Sequence, residues 1–336
     1  MRFAFIAAEQ AHYSLSLLCR CLRVTRSGFY AWQGRPESAR RQQDRRLKVL
    51  IRASFAASNQ RYGSPRIHRD LLEEHDEWVS RKRVIRLMHE EGLKARAPQR
   101  FVCTTDSDHD LPVAANLLNR EFTTEAPNQR WVGDTTEFKI GESGKLYLAA
   151  ILDLFSRFVV GWAVSAVNDR HLALAALTMA LNRRCPEPGL LHHSDRGATY
   201  ASEDYQDRLA VNGITCSMSR TGDCYDNAVM EAFFSTLKTE LADAFASHGQ
   251  AKRELFEYIE AFYNTRRRHS TIDYISPAEL ERRFRSGRGE EHCACSPRSR
   301  GSARSPKRPG CPRSDFLEGA ATPVFPFFAH AHLSWR

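Results

Sequence analysis

The hydrophobic pattern of this chain changes period along the sequence, and that change limits the folds open to it. In the arginine-rich segment 38–57 apolar residues recur every four positions, which predicts an amphipathic helix. From Trp131 onward apolar residues form short dense runs, and the run Leu146 to Leu154 is typical of a buried strand. At 336 residues the chain is also longer than one hydrophobic core usually supports. We therefore expect helical N-terminal modules followed by an α/β part.

A first pair of short helices is predicted within residues 14–33. Ser14 is a suitable helix N-cap, and the chain breaks between two apolar stretches in the way a helix-turn-helix requires. Arg23 and Arg26 are expected to point outward. This pair makes residues 1–57 an N-terminal helical region with a candidate helix-turn-helix.

A second and clearer pair defines a module of residues 58–97. Its first helix follows Tyr62-Gly63-Ser64-Pro65, and Ser80 caps the second, which Gly92 ends. A recognition helix in a DNA major groove combines an apolar stripe with basic residues. The second helix has both, and its predicted DNA-binding residues are Arg81, Lys82, Arg83 and Arg86. An ordinary solvated cationic face remains the alternative.

Charge is divided unevenly along the chain. Residues 1–120 hold 22 Lys and Arg against 13 Asp and Glu, whereas residues 121–285 hold 19 against 23. The basic N-terminal part is consistent with binding to a polyanion such as DNA. The acidic part that follows is consistent with a site in which several carboxylates bind a metal. Charge alone is equally compatible with an ordinary protein surface.

The second half reads as alternating strands and helices in the order βββαβαβα. A linker over residues 98–127 is predicted to precede this core, which we assign to residues 128–284. The predicted strands cover 131–138, 146–154, 157–164, 190–193 and 214–217, and the predicted helices cover 172–181, 205–211 and a long segment from 226. Beyond it, residues 285–336 are rich in Arg, Ser, Gly and Pro without periodicity, and we predict a disordered tail.

Composition also bears on the compartment. Nine cysteines without regular spacing favour reduced thiols, and no apolar run is long enough to span a membrane. A cytoplasmic protein without a membrane partner is therefore expected.

Three carboxylates occupy positions that can converge. Asp134 lies in the first predicted strand, Asp195 directly follows the fourth, and Glu231 lies near the start of the long helix. If the first and fourth strands are neighbours and the helix packs across their ends, the three form one cluster. Spacing alone is weak support, because other acids are available, but Asp195 lies where a chain leaves a sheet edge, a common place for reactive groups.

Crowded carboxylates repel one another, and a divalent ion with oxygen ligands relieves that repulsion. We expect Mg²⁺, with Mn²⁺ as the alternative, because both prefer oxygen ligands. Two such ions serve phosphoryl transfer by activating the attacking oxygen and stabilising the leaving one. Lys238 lies two helical turns after Glu231 and is predicted to contact the phosphate backbone, a solvated lysine being the alternative.

At this point several segments resemble a known family, the insertion-sequence transposases with a retroviral-integrase-type core, and in particular the second-frame products of the insertion sequence three family. The resemblance extends from about residue 13 to residue 284. The matching segments are Trp131-Val132-Gly133-Asp134-Thr135-Thr136, His193-Ser194-Asp195-Arg196-Gly197, Asp226-Asn227-Ala228 through Glu231, and Tyr263-Asn264-Thr265-Arg266-Arg267-Arg268-His269-Ser270. Asp273, where the family usually has glycine, is a departure.

The resemblance implies an α/β ribonuclease-H-like mixed-sheet catalytic core, preceded by all-α helix-turn-helix DNA-binding modules. Asp134, Asp195 and Glu231 would be its catalytic and metal-binding triad. The implied enzyme uses magnesium to cut element ends, frees a 3′-OH and attacks a target DNA strand with it. The family also implies element terminal repeats and target DNA as partners, assembly of several copies on DNA, and an upstream DNA-binding protein linked by frameshifting.

Several assignments remain open at the level of sequence. Arg267, Arg268 and His269 are predicted to bind DNA phosphate, with a helix-end basic cluster as the alternative. His193 is more consistent with an orienting role than a catalytic one. An inactive DNA-binding remnant or regulator of its own element is the alternative function, and a ribonuclease H or resolvase is a third, although these lack the two arginine-rich helical modules.

Overall fold

The first helices of the chain form a small cluster of their own. The computed structural model describes residues 1–96, 114–220, 224–242 and 244–293. The cluster consists of α1 (Arg2–Glu9), α2 (Leu15–Cys21) and α3 (Arg26–Gln33). The hydroxyls of Ser14 and Thr25 accept hydrogen bonds from backbone N–H groups in the first turns of α2 and α3. Ile6 and Phe29 are fully buried between the helices. The helix pair predicted within residues 14–33 is present as α2 and α3.

The next three helices form one packed module. They are α4 (Ala39–Ala57), α5 (Ser64–His75) and α6 (Arg81–Glu90). Leu47 and Ile51 of α4 are buried with Leu71 of α5 and Leu87 of α6. The apolar stripe of α4 therefore finds its partners in α5 and α6. The boundary predicted between residues 57 and 58 separates helices that pack together, and α4 belongs to the module that follows it.

A six-stranded mixed sheet forms the centre of the second half. Its strands are β1 (Arg130–Ile140), β2 (Gly144–Asp153), β3 (Val159–Ser165), β4 (Leu191–Ser194), β5 (Thr215–Met218) and β6 (Ala244–Phe245). The spatial order is β3-β2-β1-β4-β5, with β6 beside the far end of β1. β1 to β3 are antiparallel, whereas β4 is parallel to β1 and β5 to β4. The predicted α/β, ribonuclease-H-like mixed sheet is confirmed; the two-residue β6 was not predicted.

Helices cover both faces of the sheet. They are α7 (Arg170–Arg184), α8 (Ala198–Ala201), α9 (Glu203–Val211), α10 (Ala228–Glu240) and α11 (His248–Phe256). Trp131 of β1 is buried among side chains of α7 and α9, and the next residue, Val132, is buried on the opposite face, in the same core as Met230 of α10. Because neighbouring strand residues point to opposite faces, each face has its own apolar core.

The segments flanking the core are more ordered than the sequence suggested. Of the predicted linker, residues 114–127 are described, and Leu118 is buried in the core; the rest lies outside the described residues. At the other end α12 (Pro277–Cys293) continues into the segment predicted to be disordered, and the tail from residue 294 lies outside the description. None of the described helices has the length and apolarity that a membrane crossing requires.

Gly161 allows β3 and α7 to approach closely. A Cβ at this position would lie 2.2 Å from the carbonyl oxygen of Ala176 and 2.7 Å from the backbone nitrogen of Ala180. We expect Gly161→Ala to lower the free energy of unfolding by about 3 kcal/mol, because helix backbone cannot yield as a side chain can. Urea denaturation measures this. Gly249→Ala in α11 is the control, since nothing lies within 4 Å of that Cβ; equal destabilisation in both variants would contradict the explanation.

Candidate active site

Strand pairing places two aspartates side by side. Gly133 of β1 lies opposite Ser194 of β4 in a parallel register. Asp134 follows Gly133 in β1, and Asp195 directly follows Ser194, the last residue of β4. Both aspartate side chains are half-buried. The predicted neighbourhood of the first and fourth strands is therefore present, and it brings these carboxylates to the same edge of the sheet.

The third carboxylate is carried by α10. A short 3₁₀ turn, Cys224–Asn227, leads into this helix, whose buried residues Met230 and Phe233 hold it against the sheet. Glu231 lies in the first turn of α10, and its side chain is exposed rather than buried among these apolar neighbours. The apolar stripe of α10 faces the sheet and turns Glu231 toward solvent.

Electrostatics connect the three carboxylates. Burial raises the pKa of Asp134 well above its usual range, and the charges of Asp195 and Glu231 raise it further. Hydrogen bonds from the Thr135 N–H and from the Asn227 side chain oppose this shift. The three groups therefore lie close enough to influence one another's charge.

The side chains near Asp134 and Asp195 are arranged to orient them. The backbone N–H of Gly197 donates to Asp195 Oδ1 at 3.0 Å, and the N–H of Thr135 donates to Asp134 Oδ1 at 2.7 Å. Tyr200 is buried beside them, with its hydroxyl 3.1 Å from Thr135 Oγ1. Burial, together with the nearby charges, raises the pKa of Tyr200, which keeps its hydroxyl protonated. Sequence reasoning missed Tyr200; its only signal was its place shortly after Asp195-Arg196-Gly197.

His193 has the orienting role that the sequence favoured. Its ring is buried, with Nδ1 2.9 Å from Ser217 Oγ and Nε2 3.1 Å from Ser219 Oγ. Burial lowers the pKa of His193 to about 4, so the ring is neutral near pH 7. A neutral ring with both nitrogens engaged fixes the end of β4, two residues before Asp195.

The basic residues predicted on α6 divide into two groups. Arg81 and Lys82 are exposed on the first turn of the helix. Arg83 and Arg86 instead pair with Asp44 of α4, both at 2.8 Å. The prediction that Arg83 and Arg86 bind DNA is therefore not supported, because both arginines are already paired with Asp44 and Arg86 also with Glu90, and they join α6 to α4.

Arg267 lies inside the protein. Its side chain is 5% exposed, and its guanidinium donates to both carboxylate oxygens of Glu240 at 2.8 and 2.6 Å. His269 is also buried, beside Arg267, and burial together with that positive charge lowers its pKa well below the usual range. The predicted phosphate contacts of Arg267 and His269 are contradicted by this burial.

Arg268 joins the core to the helical module. Its guanidinium pairs with acids of α5, Asp70, Glu73 and Glu74, and its backbone N–H donates to the hydroxyl of Tyr62. The predicted DNA contact of Arg268 is thus replaced by a structural one. Lys238, by contrast, lies half-buried on α10 with its ammonium 5.3 Å from the centre of the Phe138 ring.

The site's capacity for metal follows from its ligands. Asp134, Asp195 and Glu231 offer only carboxylate oxygens, the ligand type that Mg²⁺ and Mn²⁺ prefer. Among the described residues, no group of three or more His, Cys, Asp or Glu side chains is already drawn together at metal-ligand distances. The arrangement is therefore one of neighbouring, mutually repelling carboxylates with the chemistry, but not the closed geometry, of a divalent-cation site.

Models of known protein families match most of this architecture. A model described as an HTH-like domain matches residues 42–101, which includes α4 to α6. Two models described as integrase core domains match residues 124–224 and 212–277. The fold and the site define the class: this is an enzyme with an integrase core, a polynucleotidyl transferase.

Two curated relatives identify the family. The chain is 41% identical over 285 residues to the transposase InsF for insertion sequence IS3A of Escherichia coli (strain K12), covering 84% of this chain and 98% of the relative. It is 41% identical over 269 residues to the insertion element IS600 uncharacterized 31 kDa protein of Shigella sonnei, covering 80% and 98%. The chain therefore belongs to the transposases of the insertion sequence IS3 family.

Solved structures resemble the chain more distantly. A simian T-cell lymphotropic virus intasome in complex with a PP2A regulatory subunit aligns with a TM-score of 0.40 and 17% identity, covering 68% of this chain and 71% of that one. The HTLV-2 integrase catalytic core in complex with magnesium aligns with a TM-score of 0.34 and 15% identity, covering 46% and 97%.

The buried pair between Glu240 and Arg267 gives a stability prediction. We expect Glu240→Gln to lower the free energy of unfolding at pH 7 by about 3 kcal/mol, because it leaves the Arg267 charge buried without a counter-ion. Against the opposing effect of burial, Arg267 lowers the pKa of Glu240 below its usual 4.5. The ion pair's contribution is thus present above pH 4.5 and is lost as the pH falls through the lowered value.

Chemical denaturation of wild type and variant from pH 7 to pH 3 tests this. The control is Asp204→Asn, which breaks the exposed pair with Arg170, whose N–O distance is 3.2 Å; we expect it to cost less than about 1 kcal/mol. A Glu240→Gln variant as stable as this control would show that the buried pair is not needed.

Proposed function

We propose that this transposase cuts DNA at the ends of its insertion sequence in a divalent-metal-dependent reaction and joins the freed 3′-OH to target DNA. In the joining step the 3′ oxygen attacks a target phosphorus and loses its proton, and the target strand's own 3′ oxygen leaves. The observation that most directly supports this is the parallel pairing of β1 with β4, which places Asp134 and Asp195 at the same edge of the sheet. In addition to burial, the charges of Asp195 and Glu231 raise the pKa of Asp134. Three mutually repelling acids are the expected state of a cation-binding triad.

In this proposal Asp134, Asp195 and Glu231 hold two Mg²⁺ ions, or Mn²⁺ in their place. When bound, such ions activate the attacking oxygen and stabilise the leaving oxygen. The protein's own contribution is orientation. The N–H groups of Thr135 and Gly197 fix one oxygen of each aspartate.

DNA is proposed to contact three regions. Arg81 and Lys82 project from the first turn of α6, the part of a recognition helix that usually reads base edges. Lys238 is proposed to contact phosphate beside the triad. The α2–α3 pair within residues 1–57 is a candidate second helix-turn-helix, and we propose that several copies assemble on the element's terminal repeats, with an upstream frameshift-linked protein as a further partner.

Removing any member of the triad should abolish the chemistry without unfolding the protein. We expect Asp134→Asn, Asp195→Asn and Glu231→Gln each to lower Mg²⁺-dependent cleavage of element-end DNA by at least about 10³-fold. Without metal, Asp134→Asn should melt at or above the wild-type temperature, because it removes a repelled charge. Glu137→Gln, on the exposed face of β1, is the matched control. Normal cleavage by any triad variant would refute that residue's assignment.

The proposed DNA contact of α6 is testable through salt. In a plot of log affinity against log salt concentration, the negative slope should decrease in magnitude by about 0.9 for every phosphate contact that is lost. We expect Arg81→Ala/Lys82→Ala to weaken duplex binding and flatten this slope, measured by fluorescence anisotropy without metal. Arg45→Ala/Arg46→Ala removes the same charge from α4, where each arginine pairs with a glutamate. If both double variants behave alike, only net charge matters and the α6 contact is excluded.

A further inference from the structure

A fourth carboxylate, outside the triad, is the most completely bonded acid near the site. Asp226 is 0% exposed and lies in the 3₁₀ turn that leads into α10, five residues before Glu231. Its oxygens accept hydrogen bonds from Asn116 Nδ2 at 2.6 Å and from Arg120 Nε at 3.1 Å. They also accept from Arg220, through the backbone N–H at 3.0 Å and the guanidinium at 3.2 Å.

These bonds gather three separate segments at the start of α10. Asn116 and Arg120 belong to the segment before the core, residues 114–120, and Arg220 follows β5. Although burial opposes ionisation, the hydrogen bonds from Arg220 and Arg120 hold the pKa of Asp226 well below its usual range. Asp226 is therefore ionised near pH 7 and anchors the turn that carries α10 through its hydrogen bonds.

The same segment is also linked to β4, through Ser217 of β5. The backbone N–H groups of Leu117 and Leu118 donate to Ser217 Oγ at 2.9 and 3.2 Å. Ser217 Oγ in turn lies 2.9 Å from His193 Nδ1. Residues 114–120, which we call the brace, thus contact the turn that leads to Glu231 directly. Through Ser217 of β5 they are also linked to β4, the strand that leads to Asp195.

Asn227 extends this arrangement to Asp134. Its side chain hydrogen-bonds to Asp134, which requires its amide N–H to donate. The side chain is 7% exposed, and its Oδ1 is fully buried without a hydrogen-bond partner among the described residues. A buried amide held with one polar atom unsatisfied is costly, and its remaining bond is directed at the triad.

We propose that Asp226 and Asn227 are positioning residues of the active site: Asp226 locks the start of α10 to the brace, and Asn227 orients Asp134 toward Glu231. This inference rests on the proposed function of the triad. Partners behind metal ligands commonly change metal affinity by 10- to 100-fold when they are mutated. A merely structural role would instead lower stability and leave the metal affinity of the folded protein unchanged.

The experiment compares two buried asparagines. Asn227→Leu removes the bond to Asp134 at nearly constant volume. Asn264→Leu, the control, removes a buried asparagine whose bonds are to the backbone of Val159, away from the triad. We expect Asn227→Leu to lower Mn²⁺ affinity, measured by calorimetry on full-length protein, and kcat for element-end cleavage by about 10- to 100-fold each, with KM for DNA unchanged. Asn264→Leu should lower only the melting temperature.

A milder variant covers the case in which Asn227→Leu does not fold. Asn116→Ala removes one donor to Asp226 from the half-buried brace, and we expect a smaller loss of Mn²⁺ affinity in the same direction. If the wild-type enzyme is active and the folded variants keep its Mn²⁺ affinity and kcat, the positioning role is refuted. The proposed function would still stand in that case. A parent enzyme that neither binds Mn²⁺ nor cuts would overturn the proposed function as well.

Discussion

The parallel pairing of β1 with β4 is the constraint on which the site depends. With Gly133 opposite Ser194, the residue that follows in each strand is an aspartate at the same edge of the sheet. Gly133 permits this pairing because a Cβ there would lie 3.1 Å from Nε2 of the buried His192. The sheet thus forces two carboxylates together. Burial, reinforced by their repulsion, keeps the pKa of Asp134 high despite the N–H donors around them.

A second buried network joins the helical module to the core. Glu240, at the end of α10, binds Arg267 and accepts a hydrogen bond from Tyr258, while Arg66 of α5 also pairs with it. Arg268 reaches the acids of α5 from the core. The arginine-rich segment 263–270 is therefore the joint between the two parts, and the charges of its Arg267 and Arg268 are compensated by acids of the protein.

The sequence predicted what depends on local pattern and missed what depends on distant partners. The change of hydrophobic period correctly placed the helices before the sheet, and the short apolar runs placed its first five strands in chain order. The arginines at 267 and 268 were misassigned because basic residues near a helix end look the same whether they face DNA or a buried acid. Glu240 lies 27 residues from Arg267, and Asn116 lies 110 residues from Asp226; only the folded chain shows these pairs.

The attachment of α5 to the core has a geometric consequence. A rotation of the helical module away from the core would separate Arg268 and Glu240 from their partners in α5. Breaking buried ion pairs in this way costs free energy, because it leaves charges without a counter-ion. The ion pairs thus hold the helical module and the sheet in one fixed relative position. If α6 binds a DNA duplex, the distance along the DNA axis between the α6 contact and the carboxylates would be constant. The position at which α6 binds would therefore determine which phosphodiester lies at the carboxylates.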